Sequence, residues 1–240
     1  MGGNKNDIDD LIADSVMGRQ IEFCLGGRRF CIYPFTLGKT IVLNRLLKDV
    51  ELNDQILAVN PFIEALRIAE QARDIACKLI AYMTCNGKDE VMNTELVNER
   101  AKLFCEGMDN EDIATLLLHY MTSDRTDQFA KHIGLDKDAE RKSKVMSAKS
   151  DGDKNNYTFG GLSIYGTLID WAAERYGWTK DYIVWGIDYT SLKMMQADAI
   201  TSIYVTDDER KRLHISNDRN RINGDDKTAV KQFINSQNWD

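Results

Sequence analysis

Apolar and polar residues alternate between residues 20 and 33, which is the pattern of a half-buried β-structure. Gly26-Gly27 interrupts the alternation near its middle and predicts a β-hairpin that turns at these two glycines. A register that pairs Leu25 with Arg28 places the apolar side chains on one face. In this register the apolar pairs are Phe23 with Phe30 and Ile21 with Ile32. Because a lone hairpin is marginal in water, we expect this face to rest on the helices that follow.

Beyond the hairpin, apolar residues recur at spacings of three and four, the pattern of amphipathic helices. Thr36 is a suitable cap for the first of them. Pro61 opens the strongest apolar stripe, which runs to Met83 and predicts one long core helix. A further helix is predicted over about Glu90–Phe104, and another begins at Asp109, whose side chain can cap it.

Apolar residues almost vanish between residues 136 and 156, and a stretch this polar cannot bury itself. We interpret it as a charged linker whose first half is compatible with a helix. Beyond it, one amphipathic helix contains Leu168, and a second begins at an Asp188 cap and runs through Leu192 to Ile203. The two predict a small helical hairpin with the aromatic segment between them as its turn.

These patterns predict a mainly α protein with a small N-terminal β-hairpin, an α+β fold with a helical body and a small C-terminal helical module. A length of 240 residues allows one large domain or two small ones, and both options stay open. The predicted segments are a flexible leader (1–19), the hairpin plus helical domain (20–134), a charged polar linker (135–157), an aromatic-rich helical module (158–205) and a polar, partly ordered tail (206–240).

Composition narrows the classes of function. The formal charge of −7 repels phosphate, so the molecule as a whole offers no argument for binding nucleic acid. The basic cluster Arg210-Lys211-Arg212 directly follows Asp207-Asp208-Glu209, and we interpret this region as a solvated mixed-charge tail. The five cysteines have no CxxC spacing, which favours reduced thiols in a reducing compartment. With neither a signal peptide nor an apolar run of about 20 residues, we expect a cytoplasmic protein that does not enter a membrane.

No motif in the sequence predicts a catalytic residue, a cofactor or a metal ion. Gly38-Lys39-Thr40 matches only the end of a phosphate-binding loop, because the position that requires the first glycine is Tyr33. We interpret Lys39 as an exposed residue in the first turn of a helix. The three histidines have no ligand spacing, and no nucleophile motif surrounds a serine or cysteine. We therefore expect a protein that is not an enzyme.

The most informative stretch runs from residue 176 to residue 189, where tryptophan and tyrosine are concentrated, with Met194-Met195 close behind. Large amphipathic rings dominate binding interfaces when they are not part of a core. Two interpretations stay open for Trp178, Tyr182 and Trp185, namely core packing and a surface for a partner. A module of about 60 ordered residues buries little by itself, which favours completion of its core against a partner or another copy.

Two stretches carry a resemblance to a known family. They read YPFTLGKTIVLNRLL over residues 33–47 and YGWTKDYIVWGIDYTSLKMMQADAI over residues 176–200. Together with the hairpin, the helical body and the charged linker, they resemble tail assembly chaperones of long-tailed, siphovirus-like bacteriophages and prophages of gut Bacteroidetes. The resemblance covers most of residues 20–205. Its most specific pieces are Thr36-Leu37-Gly38-Lys39 and the Gly-Trp…Trp-Gly-Ile-Asp segment.

The resemblance implies a non-enzymatic role in the cytoplasm of the bacterial host. Copies of such chaperones coat the long, hydrophobic tape-measure protein, keep it soluble and hand it over as tail-tube subunits polymerise around it. The residues expected to contact the tape-measure protein or the tail-tube protein are Trp178, Tyr182, Trp185, Met194 and Met195. The helical body is expected to supply self-association, which gives a homo-oligomer, or to bind the tape-measure protein.

Two alternative functions stay open. One is a nucleic-acid-associated regulator of a phage or mobile element, which would contact phosphate through the region from Arg210 to Arg221. The other is a structural subunit of the virion itself.

Overall fold

The computed structural model of the chain describes residues 5–124, 126–149 and 162–213. Within these ranges it has two strands, β1 (Ile21–Leu25) and β2 (Arg28–Ile32), and fourteen helices. The helices are α1 (Lys5–Val16), α2 (Leu37–Leu47), α3 (Asp54–Val59), α4 (Pro61–Gln71), α5 (Arg73–Thr84), α6 (Lys88–Met92), α7 (Thr94–Gly107), α8 (Asn110–Met121), α9 (Thr126–Ile133), α10 (Leu135–Ser147), α11 (Ile164–Tyr176), α12 (Lys180–Trp185), α13 (Tyr189–Ala197) and α14 (Asp207–Arg212). The predicted fold class, mainly α with an N-terminal hairpin, is confirmed.

The hairpin has the predicted antiparallel register, with Phe23 opposite Phe30. Gly26 and Gly27 have φ angles of 58° and 75°, so both central residues adopt the left-handed conformation that a two-residue type I′ turn requires. The apolar face rests on α7, where the centroid of the Phe30 ring lies 4.9 Å from that of Phe104 in an edge-to-face arrangement. The hairpin therefore forms one wall of the main hydrophobic core.

Helix α5 lies at the centre of this core. It packs on α7, contacts α2, α4 and α8, and has seven buried residues among its twelve. These are Ala76, Cys77, Leu79, Ile80, Ala81, Met83 and Thr84. A helix that is buried on most of its sides has to be surrounded by other elements, so the neighbouring helices and the hairpin are arranged around α5.

The apolar stripe that begins at Pro61 forms two helices, so the prediction of one long helix to Met83 is wrong. The break lies at Ala72, whose φ of −134° and ψ of 45° are not helical. A single helix would be a rod of about 35 Å, whereas the break allows α4 to follow α8 and α5 to follow α7. The helix predicted over Glu90–Phe104 is likewise divided at Asn93, which caps α7.

The predicted helix caps are present. Thr36 caps α2 by accepting a hydrogen bond from the Lys39 backbone N–H at 3.4 Å. Asp109 caps α8 by accepting one from the Asp112 backbone N–H at 2.8 Å. Each cap satisfies one of the backbone donors that the first turn of a helix leaves without a partner.

The buried C-terminus of α5 is fully hydrogen-bonded. The last four backbone carbonyls of a helix lack the backbone N–H groups of a following helical turn. In α5 each of these carbonyls instead accepts a hydrogen bond from a side chain or from the residue that follows the helix. The four bonds are Thr84 Oγ1 to Ala81 O (2.8 Å), Cys85 N to Tyr82 O (3.2 Å), Lys39 Nζ to Met83 O (2.8 Å) and Arg100 Nη1 to Thr84 O (2.8 Å). Two cationic side chains, Lys39 and Arg100, therefore lie at the negative end of the helix dipole.

The prediction that Lys39 is exposed is wrong, because the residue is only 4% exposed. Helix α2 begins beside the end of α5, so its first turn faces the core. The ammonium also lies 5.6 Å from the centroid of the Phe35 ring, a favourable position for a cation. Burial lowers the pKa of the ammonium to about 8, since a carbonyl and a ring replace only part of its hydration.

The chain forms two compact units. The first contains the described residues up to 136 together with residues 162–199, and the second contains residues 137–149 and 200–213. The aromatic-rich module up to residue 199 thus shares a unit with the hairpin and the helical body. Residues 5–16 of the predicted leader form helix α1, and residues 135–147 of the predicted linker form helix α10. The five segments derived from the sequence stay a prediction of domain organisation.

The second unit, taken by itself, contains a reciprocal cap at the start of α14. The Thr206 hydroxyl accepts from the Glu209 backbone N–H, and the Glu209 carboxylate accepts from the Thr206 backbone N–H at 2.9 Å. The Lys149 ammonium lies 3.4 Å from the same carboxylate, so the buried charge of Glu209 has a counter-charge. Of the predicted phosphate-contacting region, the part beyond Leu213, up to Arg221, lies outside the described residues.

None of the helices in the described ranges has the length and apolar character that crossing a bilayer requires.

Lys39→Met tests the burial of the ammonium. The unfolded chain keeps the Lys39 proton up to a pH near 10.5, whereas the folded chain releases it above about 8. The unfolded state therefore binds the extra proton in this window, and raising the pH favours folding. From pH 7.5 to pH 10 the free energy of unfolding of the wild type should rise relative to that of Lys39→Met by up to about 3 kcal/mol.

Urea unfolding at the two pH values measures this difference. Lys102→Met is the matched control, because the Lys102 side chain is 77% exposed, and its difference from the wild type should stay nearly constant. A difference between Lys39→Met and the wild type that does not change with pH would contradict a buried, titrating amine.

Candidate polypeptide-binding surface

The aromatic segment lies within three consecutive short helices, α11–α13, which we call the three-helix module. Each helix begins at a side-chain cap that satisfies a first-turn donor. The caps are Ser163 to Gly166 N (3.1 Å), Thr179 to Tyr182 N (3.3 Å) and Asp188 to Ser191 N (2.7 Å). Gly177 ends α11 in the left-handed conformation, with a φ of 67°. The predicted Asp188 cap is confirmed.

The structure differs from the predicted helical hairpin in two respects. The aromatic segment is not only a turn, because the Thr179 cap and the absence of glycine and proline up to Trp185 allow α12 to form. In addition, α13 ends at Ala197 and does not reach Ile203. The Asp198 backbone N–H closes its last turn on the Met194 carbonyl at 2.9 Å.

The module has a small hydrophobic core of its own, which draws on all three helices. Leu168 and Ala172 come from α11, Ile183 from α12 and Leu192 from α13, and none of the four is more than 2% exposed. The apolar residues packed around them all belong to the same stretch of chain. This core fixes the directions in which the aromatic side chains of the module point.

Four rings of the module form a continuous series of contacts, which we call the aromatic row. Centroid distances are 5.4 Å from Trp171 to Tyr176, 4.6 Å from Tyr176 to Trp178 and 5.2 Å from Trp178 to Tyr182. The middle pair is stacked and the outer pairs are edge-to-face, the two arrangements that aromatic rings favour. The row lies at the surface, since Tyr176 is 36% exposed and Tyr182 is 47% exposed. The Arg175 guanidinium lies 5.9 Å from the Tyr176 ring centroid.

Trp185 is not part of the aromatic row and packs against the main core. Its ring lies on the backbone of Gly38 in α2, so closely that a Cβ at this glycine would be 2.7 Å from two ring atoms. Only glycine permits this approach. The other two residues predicted to contact a partner, Met194 and Met195, are half-buried on α13. That these residues and the row contact a partner stays a prediction.

The module also joins the rest of its unit through main-chain and charged contacts. The Tyr189 backbone N–H donates to the Phe35 carbonyl at 2.8 Å, and Thr36 and Asp188 form an isolated antiparallel bridge. Two ion pairs lie at the surface, Lys88 with Asp181 at 2.6 Å and Lys193 with Asp124 at 2.8 Å. Helix α12 also packs on α2, and α13 packs on α9 and α1, so the module is attached to several elements of its unit.

Two clefts lie where the module contacts the residues around the start of α2. A cleft of about 620 Å³ lies beside Asp188 and Tyr189, with Phe35 and Tyr120 in its wall. A second cleft of about 350 Å³ lies beside Trp185 and is also lined by Asp188. Burial raises the pKa of the Tyr120 and Tyr189 phenols, so both are neutral near pH 7 and offer rings and hydroxyls rather than a base.

The described residues contain no group of three or more His, Cys, Asp and Glu side chains that could hold a metal ion.

Sequence reasoning located Trp178 and Tyr182 but missed the full extent of the row. Trp171 and Tyr176 have the spacing of core residues, but Tyr176, the last residue of α11, is 36% exposed. The seat of Trp185 on Gly38 was also missed, since the two residues are far apart in the chain and no local pattern connects them.

Comparisons of the chain with protein-family models, with curated proteins and with solved structures find no significant match.

Gly38→Ala tests the seat of Trp185. The added methyl group collides with the indole and should displace it. The collision costs about 1–3 kcal/mol and the gain in helix propensity offsets at most about 1 kcal/mol, so we expect a net destabilisation of up to about 2 kcal/mol. Tryptophan emission should shift to longer wavelength as Trp185 enters water. Urea unfolding and fluorescence spectra measure both effects.

Gly166→Ala is the matched control, because Gly166 also lies in a helix but a Cβ there would have its nearest neighbours at 3.4 Å, an ordinary contact. This variant should be as stable as the wild type or more stable, with unchanged emission. If Gly38→Ala behaves in the same way, Trp185 does not depend on the glycine.

Proposed function

We propose that this protein is a non-enzymatic polypeptide-binding protein and that the aromatic row is part of its contact surface. The observation that carries the proposal is the unbroken series of ring contacts from Trp171 to Tyr182 at a surface where Tyr176 and Tyr182 are more than one-third exposed. Rings that already hold one another in place lose little conformational freedom when a partner covers them.

The chemistry of the row suits an apolar polypeptide. Tyrosine and tryptophan are enriched among the residues that dominate binding energies, because they offer a large apolar area with a polar edge. Met194 and Met195 are half-buried on the neighbouring helix α13, and methionine side chains adapt to surfaces of different shape. A surface of this kind can accept the apolar stripe of an amphipathic helix.

We assign this activity to phage tail assembly. The support is the resemblance of residues 33–47 and 176–200 to tail assembly chaperones of long-tailed phages and prophages. The clients are then the tape-measure protein, the tail-tube protein or both, and binding takes place in the cytoplasm of the bacterial host. A chaperone of this class holds its client soluble until assembly, and it needs adaptable apolar contacts more than a rigid pocket.

The described residues give less support to a nucleic-acid-associated regulator. In α14 three basic residues follow three acidic ones, and Lys211 pairs with Asp208 at 3.6 Å. The helix is nearly neutral, so it lacks the excess of positive charge on which phosphate binding depends.

Co-expression with the candidate tape-measure protein of the same phage or prophage tests the proposal. The wild type should keep that protein in the soluble fraction, and Trp178→Ala combined with Tyr182→Ala should lower the soluble amount at least fivefold. Truncating two central contact residues typically costs a few kcal/mol of binding free energy. Fractionation followed by quantitative gel analysis measures the amount.

Tyr204→Ala is the control, because Tyr204 is 81% exposed and lies outside the aromatic row. Circular dichroism of the purified variants checks that they are folded. Equal rescue by the double variant and the wild type would refute the aromatic row as the client surface. Finding the protein in purified virions would favour the structural subunit instead, since a chaperone leaves the particle.

A further inference from the structure

We infer that β1 is an interface between two copies of this chain, in which the outer edges of two hairpins pair antiparallel and form a four-stranded sheet. The interface lies outside the aromatic row, and such a dimer does not depend on the proposed function. It places self-association in the hairpin, whereas the sequence led us to expect it from the helical body. Three properties of β1 support it: unused hydrogen-bonding groups, half-covered apolar side chains and a sequence that complements itself.

The main-chain groups on the outer edge of β1 are those of Glu22 and Cys24. In a hairpin with a two-residue turn the pair next to the turn, here Leu25 with Arg28, is hydrogen-bonded, and hydrogen-bonded pairs alternate with non-hydrogen-bonded ones along the strands. Glu22 and Cys24 belong to non-hydrogen-bonded pairs, so their N–H and C=O groups point away from β2. Within the described ranges the sheet has two strands, and no main-chain group outside it bonds to these two residues.

Strand β1 lacks the features by which proteins usually protect an open edge, which are prolines, lysines, bulges or a covering helix or loop. Its sequence is Ile-Glu-Phe-Cys-Leu, and it pairs with β2 residue by residue without a bulge. Among the described elements, only β2 packs extensively on its backbone. The one charged side chain, Glu22, forms an ion pair with Arg29 of the same hairpin, so the edge carries little net charge. An edge of this kind favours pairing with another strand.

The apolar side chains of β1 are less well covered than those of β2. Ile21, Phe23 and Leu25 are half-buried, whereas Phe30 and Ile32 are only 9% and 1% exposed. Apolar area therefore remains to be buried on the β1 side of the hairpin, and burying it favours association. This difference selects the edge of β1 rather than that of β2 as the interface.

The sequence of β1 complements itself in one antiparallel register, which has a two-fold axis at Phe23. In this register Glu22 exchanges main-chain hydrogen bonds with Cys24 of the second copy, and the reverse pair does the same. On the packed face Phe23 lies opposite Phe23 and Ile21 opposite Leu25, so each apolar side chain meets an apolar one. On the other face Glu22 lies opposite a cysteine, so no like charges are directly opposed. A second copy of the chain therefore satisfies both the main chain and the side chains of this edge.

Cys24→Pro tests the interface. Proline removes the outward N–H of residue 24, which the hairpin itself does not use, and edge strands tolerate proline in this orientation. Cys24→Val is the matched control, because it also removes the thiol but keeps the N–H and favours a strand. Sedimentation equilibrium of the full-length proteins over a series of concentrations, with dithiothreitol present to prevent disulfides, measures the fraction of dimer.

We expect the wild type and Cys24→Val to form dimers. Cys24→Pro should need an at least tenfold higher protein concentration to reach the same fraction of dimer, because it loses a main-chain hydrogen bond at each of the two symmetric sites. Circular dichroism of both variants checks that they are folded.

A wild type that is monomeric at every concentration would overturn the interface, and so would a folded Cys24→Pro that forms dimers as readily as Cys24→Val. If the wild type is monomeric and Cys24→Pro also lowers the soluble amount of the tape-measure protein in co-expression, the edge binds a strand of the client instead of a second copy. None of these results bears on the aromatic row, which the substitutions at Trp178 and Tyr182 test.

Hydrogen exchange of the wild type is a second readout that needs no substitution. Raising the protein concentration until most of the chains are dimeric should slow exchange of the Glu22 and Cys24 amides at least threefold, because they gain acceptors only in the dimer. The Phe23 amide is the internal control, since it is hydrogen-bonded within the hairpin in both states and should change less. Formation of the dimer without slower exchange of the Cys24 amide would overturn the interface.

Discussion

The buried C-terminus of α5 is the constraint on which the rest of the structure depends. A helix surrounded by protein on most of its sides cannot leave its last carbonyls to water, and an unpaired buried carbonyl is costly. Two of the four carbonyls are satisfied locally, but the carbonyls of Met83 and Thr84 need donors from elsewhere. Lys39 and Arg100 reach them from α2 and α7, and both supply a positive charge at the negative end of the helix.

This requirement determines where α2 lies. For the Lys39 ammonium to reach Met83, the first turn of α2 has to lie against the end of α5, with the long side chain buried along the way. The same turn contains Gly38, where the absence of a side chain makes room for the Trp185 ring. Two adjacent residues, Lys39 and Gly38, thus contribute to the capping of the central helix and to one contact of the three-helix module.

The module combines two features that point toward binding. Its own small core, on which Trp171 and Trp178 pack, orients the aromatic row, and Tyr176 and Tyr182 of the row remain partly exposed. Exposed aromatic patches also promote aggregation, so the proposed function requires a client to cover this surface for much of the time.

How much the sequence predicts depends on the range of the interaction. The register of the hairpin follows from alternation and from two glycines that favour one turn type, and the caps at Thr36, Asp109 and Asp188 follow from the residue types that satisfy first-turn donors. The division of the long stripe at Ala72 is different. Alanine favours helix, so the local sequence does not indicate the break, after which α5 packs mainly on α7 whereas α4 packs on α8.

The same distinction holds for the candidate site. By itself, the sequence determined the fold class, the local elements and the concentration of aromatic residues that marks the site, since these depend on contacts between residues close in the chain. Only the tertiary structure decided that Lys39 is buried, that Trp185 turns away from the aromatic row, and that Tyr176 joins it. For the first two, the partners are a carbonyl of α5 and a glycine of α2, groups that carry no side-chain pattern and are found only by folding.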